Sequence, residues 1–223
     1  AADEPCDVAP RTPEAERLAL SATIFHWGVT PWAVYAVIGL ALAFFTFNKG
    51  LPLTIRSAFY PLLGERVWGW PGHIIDLVAV VATIFGLATS LGLGAKQAAS
   101  GLDFLFGVGS GLTTQIILIM GITAMAIFSV VRGLDQGVRI LSNINVLIAI
   151  ALLIFVIIAG PTLAIIKGYG ANTLAYVTDS VRLSNWIGRE DTEWFHGWTI
   201  FYWAWWISWS PFVGMFIARV SRG

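Results

Sequence analysis

The chain has 223 residues, of which 57% are hydrophobic and only 12% are charged, and its formal net charge is zero. A soluble domain carries about 25% charged residues, so this composition argues against a soluble protein and indicates a membrane protein. The neutral balance offers no basic surface for nucleic acid, and the single cysteine, Cys6, excludes an internal disulfide.

Five apolar stretches are long enough to cross a bilayer, which takes about 20 residues in a helix. Because backbone polar groups in lipid must be paired within the chain, each stretch is expected to be helical. We therefore predict an all-α polytopic membrane protein in which residues 1–223 form a single transmembrane domain. The predicted spans cover approximately residues 28–47, 73–95, 108–131, 140–166 and 195–217.

The loops favour one orientation in the membrane. Lys and Arg in short loops mark the cytoplasmic side, and they dominate after the first, third and fifth spans: Lys49, Arg56, Arg66, Arg132, Arg139, Arg219 and Arg222. We therefore predict that the N-terminal end lies outside and the C-terminal end in the cytoplasm. Helical spacing of apolar residues predicts a surface helix over 174–186 on the outer face and another over 52–63 on the inner face. The chain has neither an initiator Met nor a signal-peptide pattern, so we expect a fragment of a longer protein.

Tryptophan gives the strongest functional signal. Eleven are present, and five of them lie in residues 198–209. An interfacial aromatic belt is the usual explanation, but this stretch covers about 16 Å of helix, roughly half of the hydrocarbon core. Indole N–H groups at that depth need partners, and membrane helix contacts favour small residues instead. The cluster therefore indicates an aromatic-lined cavity.

An aromatic cavity is a typical binding site for a quaternary ammonium ion. Such an ion forms no classical hydrogen bond, and ring faces attract it by up to about 2 kcal/mol each when desolvated. Trp27, Trp32 and Tyr35 supply matching rings in the outer third of the first span. Tyr35 follows Trp32 by three positions, so the two share a helix face. For this span taken alone, an outer aromatic belt is the favoured alternative.

Groups for catalysis are missing from the sequence. Asp76 and Lys96 lie at the ends of the second span, where long side chains can reach the interface. No carboxylate pair lies at mid-membrane, as a proton relay would need. The three histidines have no ligand spacing, and we find no Ser-His-Asp, Cys-His or metal-binding constellation. We therefore expect no enzyme activity, no metal site and no organic cofactor.

The last part of the chain resembles the signature of the betaine/carnitine/choline transporter family. The similarity is carried by residues 197–223, including Trp-Ala-Trp-Trp-Ile-Ser-Trp-Ser-Pro, and supported by residues 25–35, 83–94 and 141–145. The resemblance implies a twelve-helix secondary transporter with two inverted five-helix repeats, a leucine-transporter-like fold. This chain would hold helices four to eight. It further implies alternating access in a bacterial inner membrane, and a homotrimer.

The resemblance also assigns site residues. It implies a substrate box of four aromatic side chains: Trp27, Trp32, Tyr35 and Trp206. Trp205 and Trp209 would line the route toward the cytoplasm. Sodium-coupled members are expected to place hydroxyls at positions matching Thr83 and Leu87 and a ring at Phe212. Thr83 and Phe212 fit this ion site, whereas the leucine at position 87 departs from the pattern.

Several functions stay open at this stage. We expect ion-coupled import of glycine betaine, with sodium or a proton as the coupling ion. Residues 51–64 are similar to choline-transporting members, so choline is the main alternative, and carnitine exchange is a further one. A membrane module with purely structural tryptophans is the non-transport alternative, and a membrane-bound enzyme is the weakest.

Overall fold

A computed structural model describes residues 12–132, 137–189 and 191–221, and the regular elements in these ranges are all helical. The described chain forms two compact units. The first unit runs to Ala88 and resumes at Ala171, and the second covers Thr89–Gly170.

The first unit begins with two consecutive helices. Helix α1 spans Pro13–Trp27, and α2 spans Val29–Ala43 and continues as a π-helical turn over Phe44–Asn48. Gly28 separates the two helices, since a Cβ there would lie 2.5 Å from the Ile24 carbonyl oxygen. The predicted first span therefore coincides with α2 and the turn after it, and α1 is a helix that the hydropathy pattern did not reveal.

The loop between α2 and the next long helix is built from short helical pieces. These are 3₁₀ turns over Ile55–Phe59 and Gly64–Trp68 around a single turn of helix, α3, over Tyr60–Leu63. The predicted surface helix over 52–63 is thus broken into two pieces. Tyr60 donates a hydrogen bond to the Glu65 carboxylate at 2.7 Å, and this bond and the nearby negative charge raise the pKa of the Tyr60 hydroxyl.

Asp76 is ion-paired in the structure. Its carboxylate accepts the Arg56 backbone N–H at 3.0 Å and the Arg56 Nε–H at 2.5 Å. The sequence predicted only that the Asp76 side chain reaches the membrane–water interface. The ion pair could not be seen in the sequence because it joins residues twenty positions apart across the loop. It fastens that loop to the start of α4.

Two long helices follow. Helix α4 spans Trp70–Phe106, and α5 spans Leu112–Val131. Both overlap the predicted second and third spans, but α4 is longer than predicted. The glycine-rich stretch between them is a loop, in which Gly107 and Gly109 have φ angles of 66° and 76°, which favour glycine.

The stretch predicted as the fourth span, 140–166, is divided near its end into two helices. Helix α6 spans Arg139–Ala159, and a separate helix, α7, spans Thr162–Ser184. Pro161 lacks a backbone N–H and disfavours helical geometry in the residue before it, so the chain breaks there. The predicted outer surface helix is therefore the last part of α7.

The chain ends in an aromatic helix. Helix α8 is a single turn over Thr192–Trp194, a π-helical stretch covers Phe195–Ile200, and α9 spans Phe201–Val220. Within the described residues, four helical stretches are long and apolar enough to cross a membrane: Pro13–Asn48, Trp70–Phe106, Leu112–Val131 and Arg139–Ala159. Helix α9 is not among them because its tryptophans, serines and proline lower the mean hydropathy. The fifth predicted span is a helix, and its crossing of the membrane stays a prediction.

Helix α9 packs closely on α2 and on the first part of α4. A Cβ on Gly214 would lie 2.5 Å from Cγ2 of Ile38, and one on Gly39 would lie 3.1 Å from Cγ2 of Ile217. A Cβ on Gly86 would lie 3.1 Å from the Trp209 backbone nitrogen. Small residues at these crossings let the backbones approach, as is common between membrane helices. These contacts hold the tryptophans of α9 opposite α2.

An aromatic cavity as the candidate functional site

A cavity of about 220 Å³ lies within the first unit, where the corner between α1 and α2 faces α9. The residues that line it are His26, Trp27, Pro31, Trp32, Tyr35, Trp205, Trp206 and Trp209. All four predicted box residues and both predicted route residues are therefore brought to one cavity. None of these eight side chains carries a carboxylate, an ammonium or a guanidinium group.

The α1–α2 wall is set by the break at Gly28. Trp27 is the last residue of α1, and Trp32 lies one turn into α2. The Trp32 and Tyr35 rings meet edge to face with centroids 5.9 Å apart, which confirms that they share a helix face. Trp27 and Trp32 are 54% and 59% exposed, so this wall is only loosely packed.

The α9 wall is rigid by comparison. Trp206 is 2% exposed and packs against Trp203, Tyr202 and Phe25, with ring centroids 5.3, 6.2 and 6.3 Å away. Trp205 meets Trp27 nearly at right angles, with centroids 5.6 Å apart. A ligand in the cavity would thus face one fixed ring surface and one more exposed surface.

His26 is a lining residue that the sequence reasoning did not assign to the site. Its ring is buried, lies 3.2 Å from the Thr199 hydroxyl through Nε2, and stacks on Tyr202 with centroids 4.5 Å apart. Its only sequence signal was its place beside Trp27.

The end of the first unit that carries α1 and residues 189–195 is fixed by two ion pairs. Arg17 of α1 donates to the Asp179 carboxylate of α7 at 2.9 Å, and Ser21 donates to the same carboxylate at 3.1 Å. Arg189 pairs with Asp191, and its guanidinium lies 4.5 Å from the centroid of the Phe195 ring. These contacts hold α1 and the start of the aromatic segment in place around the cavity.

A second cavity of about 370 Å³ contains the predicted ion-site residues. It is lined by Thr54, Ile55, Asp76, Ala79, Val80, Thr83, Ile84, Pro211, Phe212 and Met215. Thr83 and Phe212 thus come together, and Leu87 is not part of the lining. Hard cations need several oxygen ligands. The Thr83 hydroxyl donates to the Ala79 carbonyl at 2.8 Å, and Asp76 is paired with Arg56. The sodium site at this cavity therefore stays a prediction.

Comparison with known proteins gives a consistent set of relatives. Residues 1–223 match the model of the betaine/carnitine/choline family transporters. The chain is 61% identical over 221 residues to glycine betaine transporter 1 of Vibrio parahaemolyticus, covering 99% of this chain and 42% of that protein. It is 64% identical over 212 residues to a glycine betaine/proline/choline transporter of the same species, covering 95% and 38%. It is 43% identical over 222 residues to the high-affinity choline transport protein of Escherichia coli, covering 99% and 33%. The chain spans about two fifths of the length of these relatives or less.

Proposed function

The chain belongs to the betaine/carnitine/choline transporter family, and we propose that the full-length protein containing it imports a quaternary-ammonium osmolyte, in the first place glycine betaine. The proposed mechanism is ion-coupled symport by alternating access in a bacterial inner membrane, without covalent chemistry. One observation carries the proposal: a single cavity brings together the rings of Trp27, Trp32, Tyr35 and Trp206.

The chemistry of this cavity suits a trimethylammonium group. Such a group carries a positive charge behind a methyl surface and cannot form a classical hydrogen bond. Ring faces bind it by cation–π attraction, which contributes up to about 2 kcal/mol per ring when the group is desolvated. The lining offers rings and no competing ammonium or guanidinium group. Recognition in this part of the site would therefore come from the rings.

The names of the relatives are the reason why we place glycine betaine first and choline second. The two relatives that are more than 60% identical both carry glycine betaine in their names, and one of them is also named for proline and choline. A relative named for choline alone is 43% identical. Both molecules share the trimethylammonium head, so the box alone does not separate them. Choline is accordingly the second candidate substrate.

Helix α9 supports a route from the site toward the cytoplasm. Trp205 and Trp209 line the aromatic cavity, and Phe212 lines the second cavity. The centroids of the Trp209 and Phe212 rings are 5.2 Å apart, so this pair lies between the aromatic cavity and the second cavity. We propose that substrate passes along this face of α9 with sodium or a proton as the coupled ion, and that the protein works as a homotrimer.

Uptake of labelled glycine betaine tests the proposal. The full-length protein would be expressed in a strain without osmolyte transport and assayed with and without sodium and with excess choline. We expect choline-resistant uptake that is lost in Trp206→Leu and weakened at least tenfold in Trp32→Leu, because each loses a ring face. Trp186→Leu, which removes an exposed ring outside the cavity, serves as the control.

The outcomes of this assay separate the candidates. Uptake that choline blocks and sodium does not change would favour a proton-coupled choline carrier. Absence of uptake, or full uptake in Trp32→Leu with normal amounts of protein in the membrane, would contradict the box and favour structural tryptophans.

A further inference from the structure

Trp27 contacts α9 through one hydrogen bond and two aromatic rings. Its side chain is more than half exposed within this chain. Its indole N–H donates to the Tyr202 hydroxyl at 3.1 Å. The Tyr202 and Trp205 rings stand 5.7 and 5.6 Å away, at interplanar angles of 72° and 84°. The hydrogen bond is thus the directional contact that fixes which way the ring faces.

Tyr202 is itself held firmly. It is 6% exposed, and its ring stacks on His26 with centroids 4.5 Å apart and planes within 13°. His26 is in turn bonded to the fully buried Thr199 hydroxyl. Tyr202 does not line the cavity. Its hydroxyl therefore has a fixed position at which it accepts the hydrogen bond from the Trp27 indole.

We infer that Tyr202 is a positioning residue for substrate binding, because its hydroxyl holds the Trp27 ring in the orientation that a trimethylammonium group requires. This inference rests on the proposed function. Cation–π attraction depends on the ring face being turned to the cation. A Trp27 ring without this hydrogen bond would turn its edge to the cation part of the time. Fixing the ring on substrate binding would then cost free energy and weaken the binding.

The structure supplies a matched control. The Tyr176 hydroxyl lies 3.1 Å from the Thr30 hydroxyl, so it makes a hydrogen bond of the same length between α7 and α2. Neither residue lines the aromatic cavity. Tyr176→Phe therefore removes an equivalent contact without touching the rings of the box.

A double-mutant cycle tests the inference in the full-length protein. Initial rates of glycine betaine uptake would be measured over a range of concentrations for wild type, Tyr202→Phe, Trp27→Phe, both together, and Tyr176→Phe. Tyr202→Phe should raise KM about three- to tenfold, as expected for one lost hydrogen bond, with the maximal rate nearly unchanged. Trp27→Phe has no N–H to hold, so adding Tyr202→Phe to it should raise KM no further. Tyr176→Phe should leave KM unchanged.

Each contrary result has a distinct meaning. Wild-type uptake with an unchanged KM in Tyr202→Phe overturns the positioning role and leaves the proposed function intact. Additive effects in the double variant, or an equal effect of Tyr176→Phe, show that Tyr202 acts only through general packing and also overturn it. Wild type that takes up no quaternary amine overturns the proposed function and the inference together.

Discussion

Single side chains of the aromatic cavity differ in how firmly they are held. Trp206 is nearly inaccessible, whereas Trp27 and Trp32 are more than half exposed. Substitution at Trp206 therefore risks the packing of α9, and substitution at the other two changes mainly the ring offered to a ligand. Residue-scale tests of binding are best made on the exposed side of the cavity and tests of stability on the buried side.

His26→Phe should destabilise the folded protein. The new ring keeps the stacking on Tyr202 but loses the contact with the buried Thr199 hydroxyl. Leaving one buried polar group unpaired costs about 1–3 kcal/mol. Thermal unfolding of the full-length protein in detergent should show a lower midpoint. His196→Phe changes an exposed histidine next to the same segment and should leave the midpoint unchanged. Equal midpoints for His26→Phe and wild type would contradict this account.

At the scale of elements, the site depends on α9 lying very close to α2. The crossing at Gly39 and Gly214 leaves no room for a side chain. The same closeness brings Trp205 and Trp206 of α9 to the cavity that Trp32 also lines. A change at the crossing should therefore reach the cavity although it alters none of its lining residues.

Gly214→Ala tests this dependence. Its Cβ would lie 2.5 Å from Cγ2 of Ile38, so the helices must separate. Overpacking of this kind typically costs about 1–3 kcal/mol, and uptake should fall with stability. Ile38→Ala in the same chain should recover part of the loss. Gly92→Ala, where the added methyl meets nothing within 4 Å, is the matched control. A stable, fully active Gly214→Ala would show that the crossing is not critical.

The elements also show what local sequence could and could not predict. The run of tryptophans in α9 and the spacing of Trp32 and Tyr35 predicted a cavity. Indole N–H groups deep in a membrane need hydrogen-bond partners, and close helix contacts favour small residues instead. Helix α1 was missed because Glu14, Glu16 and Arg17 lower the hydropathy of its first turns. The roles of His26 and Tyr202 depend on contacts across more than 170 positions, which no local pattern reveals.

At the scale of the whole molecule, the described chain leaves much apolar surface uncovered. In α6, the most apolar 18-residue stretch has no buried residue. Large apolar surfaces are stable only against lipid or other protein segments. A bilayer is the cover that the four apolar helical stretches fit by length.

The proposed orientation can be tested by thiol labelling. In a cysteine-free variant of the full-length protein, Ile187→Cys and Glu65→Cys would each place one thiol at an exposed loop position. A membrane-impermeant maleimide should label position 187 in intact cells, because we place this loop outside. Position 65 should react only after permeabilisation, because we place its loop in the cytoplasm. The reverse labelling pattern would contradict this orientation and indicate the opposite one.

Binding of an isostere with an uncharged head group tests the central claim, that the rings of this cavity recognise the positive charge of a quaternary ammonium group. In 3,3-dimethylbutanoate a carbon atom replaces the nitrogen of glycine betaine, so the shape and carboxylate stay while the positive charge is removed. The dissociation constants of both compounds would be measured on the purified full-length protein and on Trp32→Leu. We predict at least tenfold tighter binding of glycine betaine to wild type, and a smaller preference in Trp32→Leu. Equal binding of the two compounds to wild type, or an unchanged preference in the variant, would contradict the account.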